Sequence, residues 1–145
     1  MRSSINITDL ILKEQIIEQH FKDELTGFGN REALFHRLRL DKSAKLLVLI
    51  NLVGFSEIND YLGYDVGDEL LKQIANFLMH MFDEHSNVVY RINGDEFAIL
   101  LVENDQKIFR NFRDKIKRMI HNLGKKVFTI KGYEVVVRIN VGILS

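Results

Sequence analysis

The 145-residue chain contains no cysteine, which excludes disulfide bonds and thiolate metal sites and fits a reducing cytoplasm. Neither charge is in excess, because 20 basic residues balance 20 acidic ones, and the chain lacks the broad basic surface of a nucleic-acid-binding protein. Its longest apolar run, residues 46–55, is shorter than the roughly 20 residues that cross a bilayer. We therefore expect a cytoplasmic protein with no membrane segment and no nucleic-acid partner.

The residues that are present suit one globular domain. Hydrophobic residues make up 46% of the chain and charged residues 28%, so a domain of this length can bury a core of its own. In residues 5–22, apolar side chains recur at helical spacing with charged side chains between them, which predicts an amphipathic helix. Such a helix either continues an upstream coiled coil or packs on its own domain, and the sequence leaves both open.

Beyond residue 22, the hydrophobic periodicity predicts helices and strands in a mixed order. Asn30 can cap a helix that begins near Arg31, and the nearly continuous apolar residues 45–53 predict a buried central strand. Helices mixed with direct hairpins indicate an α+β fold, with a central, mostly antiparallel sheet flanked by helices. The other predicted segments are a helix from 65–68 to about 82, a hairpin over 88–101, a helix over 105–124 and a hairpin over 125–144 that turns at Lys131-Gly132.

The stretch YRINGDEFAILL (residues 90–101) places Asp95 and Glu96 directly after Asn93-Gly94. Asn-Gly between two apolar runs predicts a tight hairpin turn, because both residues tolerate positive φ. Two acids at a hairpin tip either lie in water or bind a hard divalent cation, which prefers oxygen ligands. Gly94 has no side chain, so a phosphate or a sugar can approach the backbone closely there. The residues of the hairpin alone leave both interpretations open.

Three separated stretches resemble the GGDEF domains of the diguanylate cyclase family. RINGDEF (residues 91–97) resembles the family's signature loop, with Asn93 in place of its first Gly. DELTGFGNR (residues 23–31) resembles the family's DxLTGLxNR stretch, and FSEINDYLGYDVGDELL (residues 55–71) resembles its FKxINDxxGHxxGDxxL stretch. The three occur in the family's order and spacing. We therefore identify residues 23–145 as a GGDEF domain and residues 1–22 as an N-terminal connector helix.

The resemblance implies both a fold and a reaction. The fold is nucleotide-cyclase-like, with the signature on a hairpin tip. In the reaction two domains face each other, each with one bound GTP and Mg²⁺. The 3′-hydroxyl of one GTP attacks the α-phosphate of the other, twice, to give cyclic di-GMP and pyrophosphate. The implied partners are GTP, a second copy of the domain, and a linked EAL-type phosphodiesterase or sensor domain.

Carried over position by position, the resemblance assigns guanine contacts to Asn59 and Asp68. A carboxylate suits guanine because N1–H and the exocyclic amine are adjacent donors, whereas adenine offers an acceptor at N1. The residues alone also allow structural roles. Asn59 can be a turn residue, and Asp68 can be a carboxylate at a helix start that meets the helix dipole.

The resemblance places the signature residues against the substrate and its metal. Gly94 matches the glycine next to the substrate, and Asn93 adds a side chain there. Asp95 and Glu96 match the acids that hold the metal and support proton removal, so they are the candidate catalytic residues.

Several positions depart from the family's pattern. Asn51 stands where the family has a metal-binding Asp, and Ser56 where it has a Lys near the phosphates. Asn51 and the Leu52 carbonyl would complete, with Asp95 and Glu96, a weakened Mg²⁺ site, because dication affinity depends on the charge of the ligands.

Two further departures concern regulation and length. Glu84 and Asn87 occupy the positions of the family's Arg-x-x-Asp product-inhibition motif, and Glu84 would repel a phosphate. The chain stops at Ser145, before the further helix and strand of the family, so we expect a domain that is incomplete at its C-terminus.

These departures favour a degenerate GGDEF domain that binds GTP weakly, is inactive or slow as a cyclase, and regulates a linked output domain. Two alternatives remain. The chain is either an active diguanylate cyclase with a weakened metal site, or a dimerisation or interaction module that binds no nucleotide.

Overall fold

The computed structural model describes residues 6–43, 45–82, 87–103 and 105–144. No helix in these ranges is long and apolar enough to cross a membrane. Glu84 lies outside the described residues, as does the side chain of Asn87. The helices are α1 (Ile7–His20), α2 (Arg31–Leu40), α3 (Phe55–Leu62), α4 (Tyr64–Met81) and α5 (Gln106–Lys125), and the strands are β1 (Lys45–Val53), β2 (Asn87–Asn93), β3 (Glu96–Val102), β4 (Val127–Ile130), β5 (Tyr133–Val136) and β6 (Arg138–Leu144).

Strand β1 lies inside a four-stranded antiparallel sheet with the order β2–β3–β1–β6. Leu46, Val48 and Ile50 point to one face of this sheet and are fully buried. That face packs against α4 and α5, and α2 covers part of the opposite face, where Leu34 contacts the buried Leu100 cluster. The predicted α+β fold, with a mostly antiparallel sheet flanked by helices, is confirmed.

The C-terminal prediction of one hairpin over residues 125–144 is wrong in part. The turn at Lys131-Gly132 is confirmed, and both residues have positive φ, 49° and 85°. The hairpin ends at Val136, however, and a separate strand β6 pairs along β1 from Arg138 to Leu144. β6 supplies hydrogen-bond partners to the backbone groups on the second edge of the buried strand β1. If residues 138–144 had paired only within the hairpin, these backbone groups of β1 would have been left unpaired.

The joint between α3 and α4 is a single residue. Gly63 ends α3 and begins α4, and its φ of 93° is a conformation that glycine adopts without strain. The helix therefore starts at Tyr64, ahead of the predicted start at 65–68. Asp68 consequently lies in the second turn of α4 and not at its start.

Helix α1 is present, but none of its residues is buried against the described part of the chain. Its six large apolar side chains are 45–72% exposed. The end of the helix is attached to the domain through Phe21, whose ring stacks on that of His36 with the centroids 5.0 Å apart. The structure therefore does not show α1 packed on its own domain, which was one of the two predicted roles of this helix. The six side chains are Ile7, Leu10, Ile11, Leu12, Ile16 and Ile17.

Candidate functional site

The segment between α1 and α2 lies against the edge of the sheet beside the signature hairpin. Asn30 caps α2 as predicted, because its Oδ1 accepts a hydrogen bond from the Ala33 backbone N–H at 3.0 Å. Gly29 forms a parallel bridge with Tyr90, and a Cβ at Gly29 would lie 2.8 Å from the Tyr90 ring. Burial raises the pKa of the Tyr90 phenol, so this ring stays neutral at physiological pH. Two of the three stretches that resemble the family, residues 23–31 and 91–97, therefore meet.

An ion pair joins these two stretches. The Arg91 guanidinium contacts Asp23 at 3.1 Å, and the two side chains are only 14% and 19% exposed. The second amino group of Arg91 donates a hydrogen bond to the Gly94 carbonyl at 3.0 Å. Asp23 also accepts hydrogen bonds from the backbone N–H and the hydroxyl of Thr26, at 2.9 and 2.7 Å.

Sequence reasoning missed the roles of Asp23 and Arg91. The available signal was Arg91 itself, a cation inside an otherwise apolar predicted strand, which had to find a partner because a buried unpaired charge is costly. Nothing in the local sequence identifies Asp23 as that partner, because the two residues are 68 positions apart.

The predicted tight turn at Asn93-Gly94 is wrong. Asn93 belongs to β2 and pairs with Glu96, so Gly94 and Asp95 are the two turn residues. Neither Asn93 nor Gly94 has positive φ. The reason is a register shift between Arg91 and Asn93, which places an extra residue in β2 and moves the turn along by one position.

The structure brings the four predicted metal ligands to one end of β1. Asn51 lies directly opposite Glu96 on the neighbouring strand, and the Leu52 N–H donates a hydrogen bond to the Asp95 carbonyl at 2.9 Å. Their side-chain and backbone oxygens are ligands that a hard divalent cation prefers, so the donor set fits Mg²⁺ in type. Only two of the four donors carry charge. Among the described residues, no three or more His, Cys, Asp or Glu side chains form a group that could hold a metal.

The two predicted guanine-contacting residues lie on adjoining helices. Gly67 of α4 packs on Asn59 of α3 so closely that a Cβ at Gly67 would fall on the Asn59 Oδ1. This oxygen is buried and accepts no hydrogen bond in the described part of the chain. Asp68 follows Gly67 and is exposed. Asn59 is thus a helical residue with an unsatisfied polar atom, and its alternative role in a turn is not what the structure shows.

Two clefts lie next to the signature hairpin. A cleft of about 380 Å³ opens between residues 23–32 and 91–94, and a second of about 230 Å³ lies between α2 and the sheet beside Asn93 and Glu96. Asn59 and Asp68 line neither of them. A larger groove of about 600 Å³, between α4 and α5, contains no predicted site residue. The candidate residues therefore form two groups, one at the β1 end and the signature hairpin, and one at the α3–α4 joint.

Comparison with known proteins identifies the family of the chain. Residues 20–145 match the family model described as diguanylate cyclase, GGDEF domain. The chain belongs to this family. The GGDEF domain is 31% identical over 112 residues to diguanylate cyclase DgcP of Escherichia coli, a match that covers 72% of this chain and 33% of DgcP. The chain spans about a third or less of the lengths of the curated relatives it matches.

Solved structures share the fold. A diguanylate cyclase/phosphodiesterase from Caldicellulosiruptor saccharolyticus is 26% identical, with a TM-score of 0.74 over 88% of this chain and 77% of that one. The coiled coil and GGDEF domain of DgcB from Caulobacter crescentus, in complex with c-di-GMP, has a TM-score of 0.77 at 15% identity, over 92% of this chain and 73% of that one. The likeness to the second structure concerns the fold alone.

The close packing of Gly67 on Asn59 gives a first prediction. A Gly67→Ala substitution should displace the Asn59 side chain and lower the free energy of unfolding by about 1–3 kcal/mol, because the added methyl group overpacks the α3–α4 contact. Urea unfolding measures the free energy, and the NMR signal of the Asn59 side-chain amide reports the displacement. Gly124→Ala is the control, since a Cβ there meets no described atom within 4 Å outside the neighbouring backbone of its own helix. An unchanged Asn59 signal in Gly67→Ala would contradict the contact.

Proposed function

We propose that this GGDEF domain binds GTP weakly, in preference to ATP, and regulates a linked output domain of the cyclic di-GMP signalling system. The observation that carries the proposal is the contrast between the two groups of candidate residues. Asn59 and Asp68 are retained on adjoining helices, where Gly67, the residue before Asp68, packs on Asn59, whereas the β1 end has the neutral Asn51 opposite Glu96. The residues proposed for guanine recognition are therefore retained, whereas the proposed metal site has lost a charged ligand.

The α3–α4 joint suits recognition of guanine by hydrogen bonds. Asp68 offers an exposed carboxylate to the two adjacent donors of the guanine edge. Asn59 has a buried amide oxygen without a hydrogen-bond partner among the described residues, and a buried acceptor that stays unsatisfied costs about 1–3 kcal/mol. A ligand that donates to this amide would remove that cost. The Asp68 carboxylate favours a nucleobase with two adjacent N–H donors, which guanine has and adenine lacks.

The signature end suits a divalent cation only weakly. A bound Mg²⁺ would neutralise phosphate charge there, and the residues that would hold it are Asp95, Glu96, Asn51 and the Leu52 carbonyl. Ser56, at the position of the family's phosphate-directed Lys, is exposed and donates its hydroxyl to Glu57 at 3.1 Å. The site therefore offers less charge to the metal and none from Ser56 to the phosphates, which favours slow or absent turnover.

An active diguanylate cyclase is the second candidate, favoured by the retained Asp95 and Glu96. In that reaction the 3′-hydroxyl oxygen of one GTP forms a bond to the α-phosphorus of the other. The bond to pyrophosphate breaks, and a basic group at the signature takes the hydroxyl proton. Product from GTP and Mg²⁺, lost in Asp95→Ala, would favour this candidate over the regulatory one.

We also propose that α1 is a connector through which two copies of the domain associate. Its apolar side chains are exposed, and an isolated helix of 14 residues is marginally stable in water without a partner. The linked partner would be an EAL-type phosphodiesterase or a sensor domain, in line with the structural relative named as a diguanylate cyclase/phosphodiesterase. A cytoplasmic location follows from the proposed use of GTP. An interaction module without nucleotide binding remains the outcome if GTP does not bind.

Calorimetric titration with GTP and with ATP tests guanine recognition. The unmodified chain should prefer GTP by about tenfold or more, since a two-point hydrogen bond to a base edge is worth about 1–3 kcal/mol. Asp68→Ala should abolish this preference. Asp65→Ala is the matched control, because it removes an exposed acid of the same helix whose only described ion pair, to Lys131, is weak at 3.9 Å. Equal binding of GTP and ATP by the unmodified chain would overturn the proposal.

A gain of charge at β1 tests the metal site. Asn51→Asp places a carboxylate opposite Glu96, so Mg²⁺ should strengthen GTP binding by about tenfold more than in the unmodified chain. Asn140→Asp is the matched control, because Asn140 flanks Asn51 on the side away from Glu96 and adds the same charge. The comparison of titrations with and without Mg²⁺ gives the result. The same gain from both variants would mean that general charge, and not a ligand at position 51, is responsible.

A further inference from the structure

We propose that the outer face of α5 is an interaction surface for a second copy of this chain, and that it binds the acid-rich residues 55–69 of that copy. The interaction itself does not rest on the proposed function. Its consequence for GTP binding does.

The outer face of α5 is strongly basic. The helix carries seven Lys and Arg residues and a single acid, Asp114. Six of the seven cations are exposed, and none of these six forms an ion pair with a described residue. The six cations, called the basic face, are Lys107, Arg110, Arg113, Lys117, Arg118 and Lys125.

Helical spacing arranges most of these cations in a row. Lys107, Arg110, Arg113 and Lys117 follow one another at intervals of three or four residues, so they lie along one side of the helix. Lys125 extends the row to about 27 Å, at a rise of about 1.5 Å per residue. The apolar side chains of α5 are buried in the core on its opposite side. The helix therefore has no apolar side left for a membrane, and its outer face suits an extended anionic surface.

The chain itself carries such an anionic surface. Residues 55–69, which form α3 and the start of α4, contain five acids and no Lys or Arg. Four of these acids are exposed, and the one described ion pair among them joins Asp65 to Lys131 at 3.9 Å. A cationic partner would relieve the repulsion between these like charges. The four exposed acids, called the acidic surface, are Glu57, Asp60, Asp65 and Asp68.

The charge balance of the chain favours a second copy as the partner. The formal net charge is zero, so two copies do not repel each other at long range. Within one copy, no described ion pair joins the basic face to the acidic surface, so both stay available to a neighbour. Every copy carries both surfaces, so the complementary surface is always present at the same concentration as the basic face.

The positions of the helices allow the contact to close on two copies. α4 and α5 pack on the same face of the sheet, and a groove separates them. Two copies related by a two-fold axis can therefore each place the basic face on the acidic surface of the other. Exposed ion pairs contribute little individually and are screened by salt, so we expect a weak association that depends on ionic strength.

The association would also affect nucleotide binding. Asp68 belongs to the acidic surface and is the residue proposed to read the guanine edge. A second copy bound there would cover this carboxylate, so GTP and the second copy would compete for it. If the proposed function holds, GTP should weaken the association several-fold, and ATP should weaken it less.

The first test is sedimentation equilibrium of the full chain at low and at high salt. Between about 20 mM and 300 mM NaCl, the dissociation constant of the pair should rise about tenfold or more, because salt screens exposed charges. Association through the apolar side chains of α1 would not weaken in this way. The salt dependence therefore distinguishes the two contacts.

Charge reversal on α5 tests the basic face. The double variant Arg113→Glu, Lys117→Glu should remain monomeric at low salt, at concentrations where the unmodified chain associates. Arg39→Glu with Lys42→Glu is the matched control, because it reverses two exposed cations at the end of α2 and changes the net charge by the same amount. An equal loss in the control would mean that general repulsion, and not the basic face, is responsible.

Reversal of the acidic surface should restore the association. Adding Glu57→Lys and Asp60→Lys to the Arg113→Glu, Lys117→Glu variant exchanges the two charges across the contact and returns the net charge to zero. This fourfold variant should associate at low salt about as strongly as the unmodified chain. A fourfold variant that folds but stays monomeric would contradict the pairing of these two surfaces. If it does not fold, the double variant and its control give the decision.

Two results for the unmodified chain would overturn the proposal. One is a chain that stays monomeric at low salt, which would leave the basic face to a foreign anion or to water. The other is an association that is equally strong at both salt concentrations. If GTP does not bind at all, the proposed function fails, and the salt dependence and the charge-reversal variants still decide whether the two surfaces pair.

Discussion

β1 makes hydrogen bonds along both of its edges, to β3 and to β6, and its side chains lie between helices on one face and α2 on part of the other. A strand enclosed in this way cannot exchange its backbone partners for water, so its position and register are strongly constrained. The end of β1 carries Asn51 and Leu52, and its direct continuation is α3 with Asn59. Both groups of candidate residues are thus positioned by one buried strand.

The two groups are nevertheless built from different interactions. At the α3–α4 joint, a glycine without a side chain allows two helices to meet over a buried amide. At the signature hairpin, a half-buried ion pair and two carbonyl contacts hold an irregular turn. A substitution such as Asn in place of Asp at position 51 changes the charge at the hairpin without disturbing the helix joint. The proposed guanine recognition can therefore be retained in a fold whose proposed metal site has lost charge.

Local signals in the sequence were sufficient to predict much of this fold. The apolar run of β1, the Asn30 cap and the Lys131-Gly132 turn each depend on a few neighbouring residues, and each is found where it was predicted. The predictions that were wrong depend on distant partners. β6 separates from the second hairpin because β1 has an open edge, and the hairpin turn moves because β2 contains an extra residue. The ion pair of Asp23 and Arg91 joins residues 68 positions apart, which periodicity and turn chemistry do not detect.

We propose that this domain recognises guanine while its metal end supports little or no turnover. The most direct measurement is incubation of the full chain with GTP, ATP and Mg²⁺ together, followed by separation of bound from free nucleotide and chromatography of all products. We expect GTP to be enriched on the protein over ATP and to be recovered unchanged. Equal retention of both nucleotides would contradict guanine recognition, and rapid conversion of GTP to cyclic di-GMP would contradict the loss of turnover.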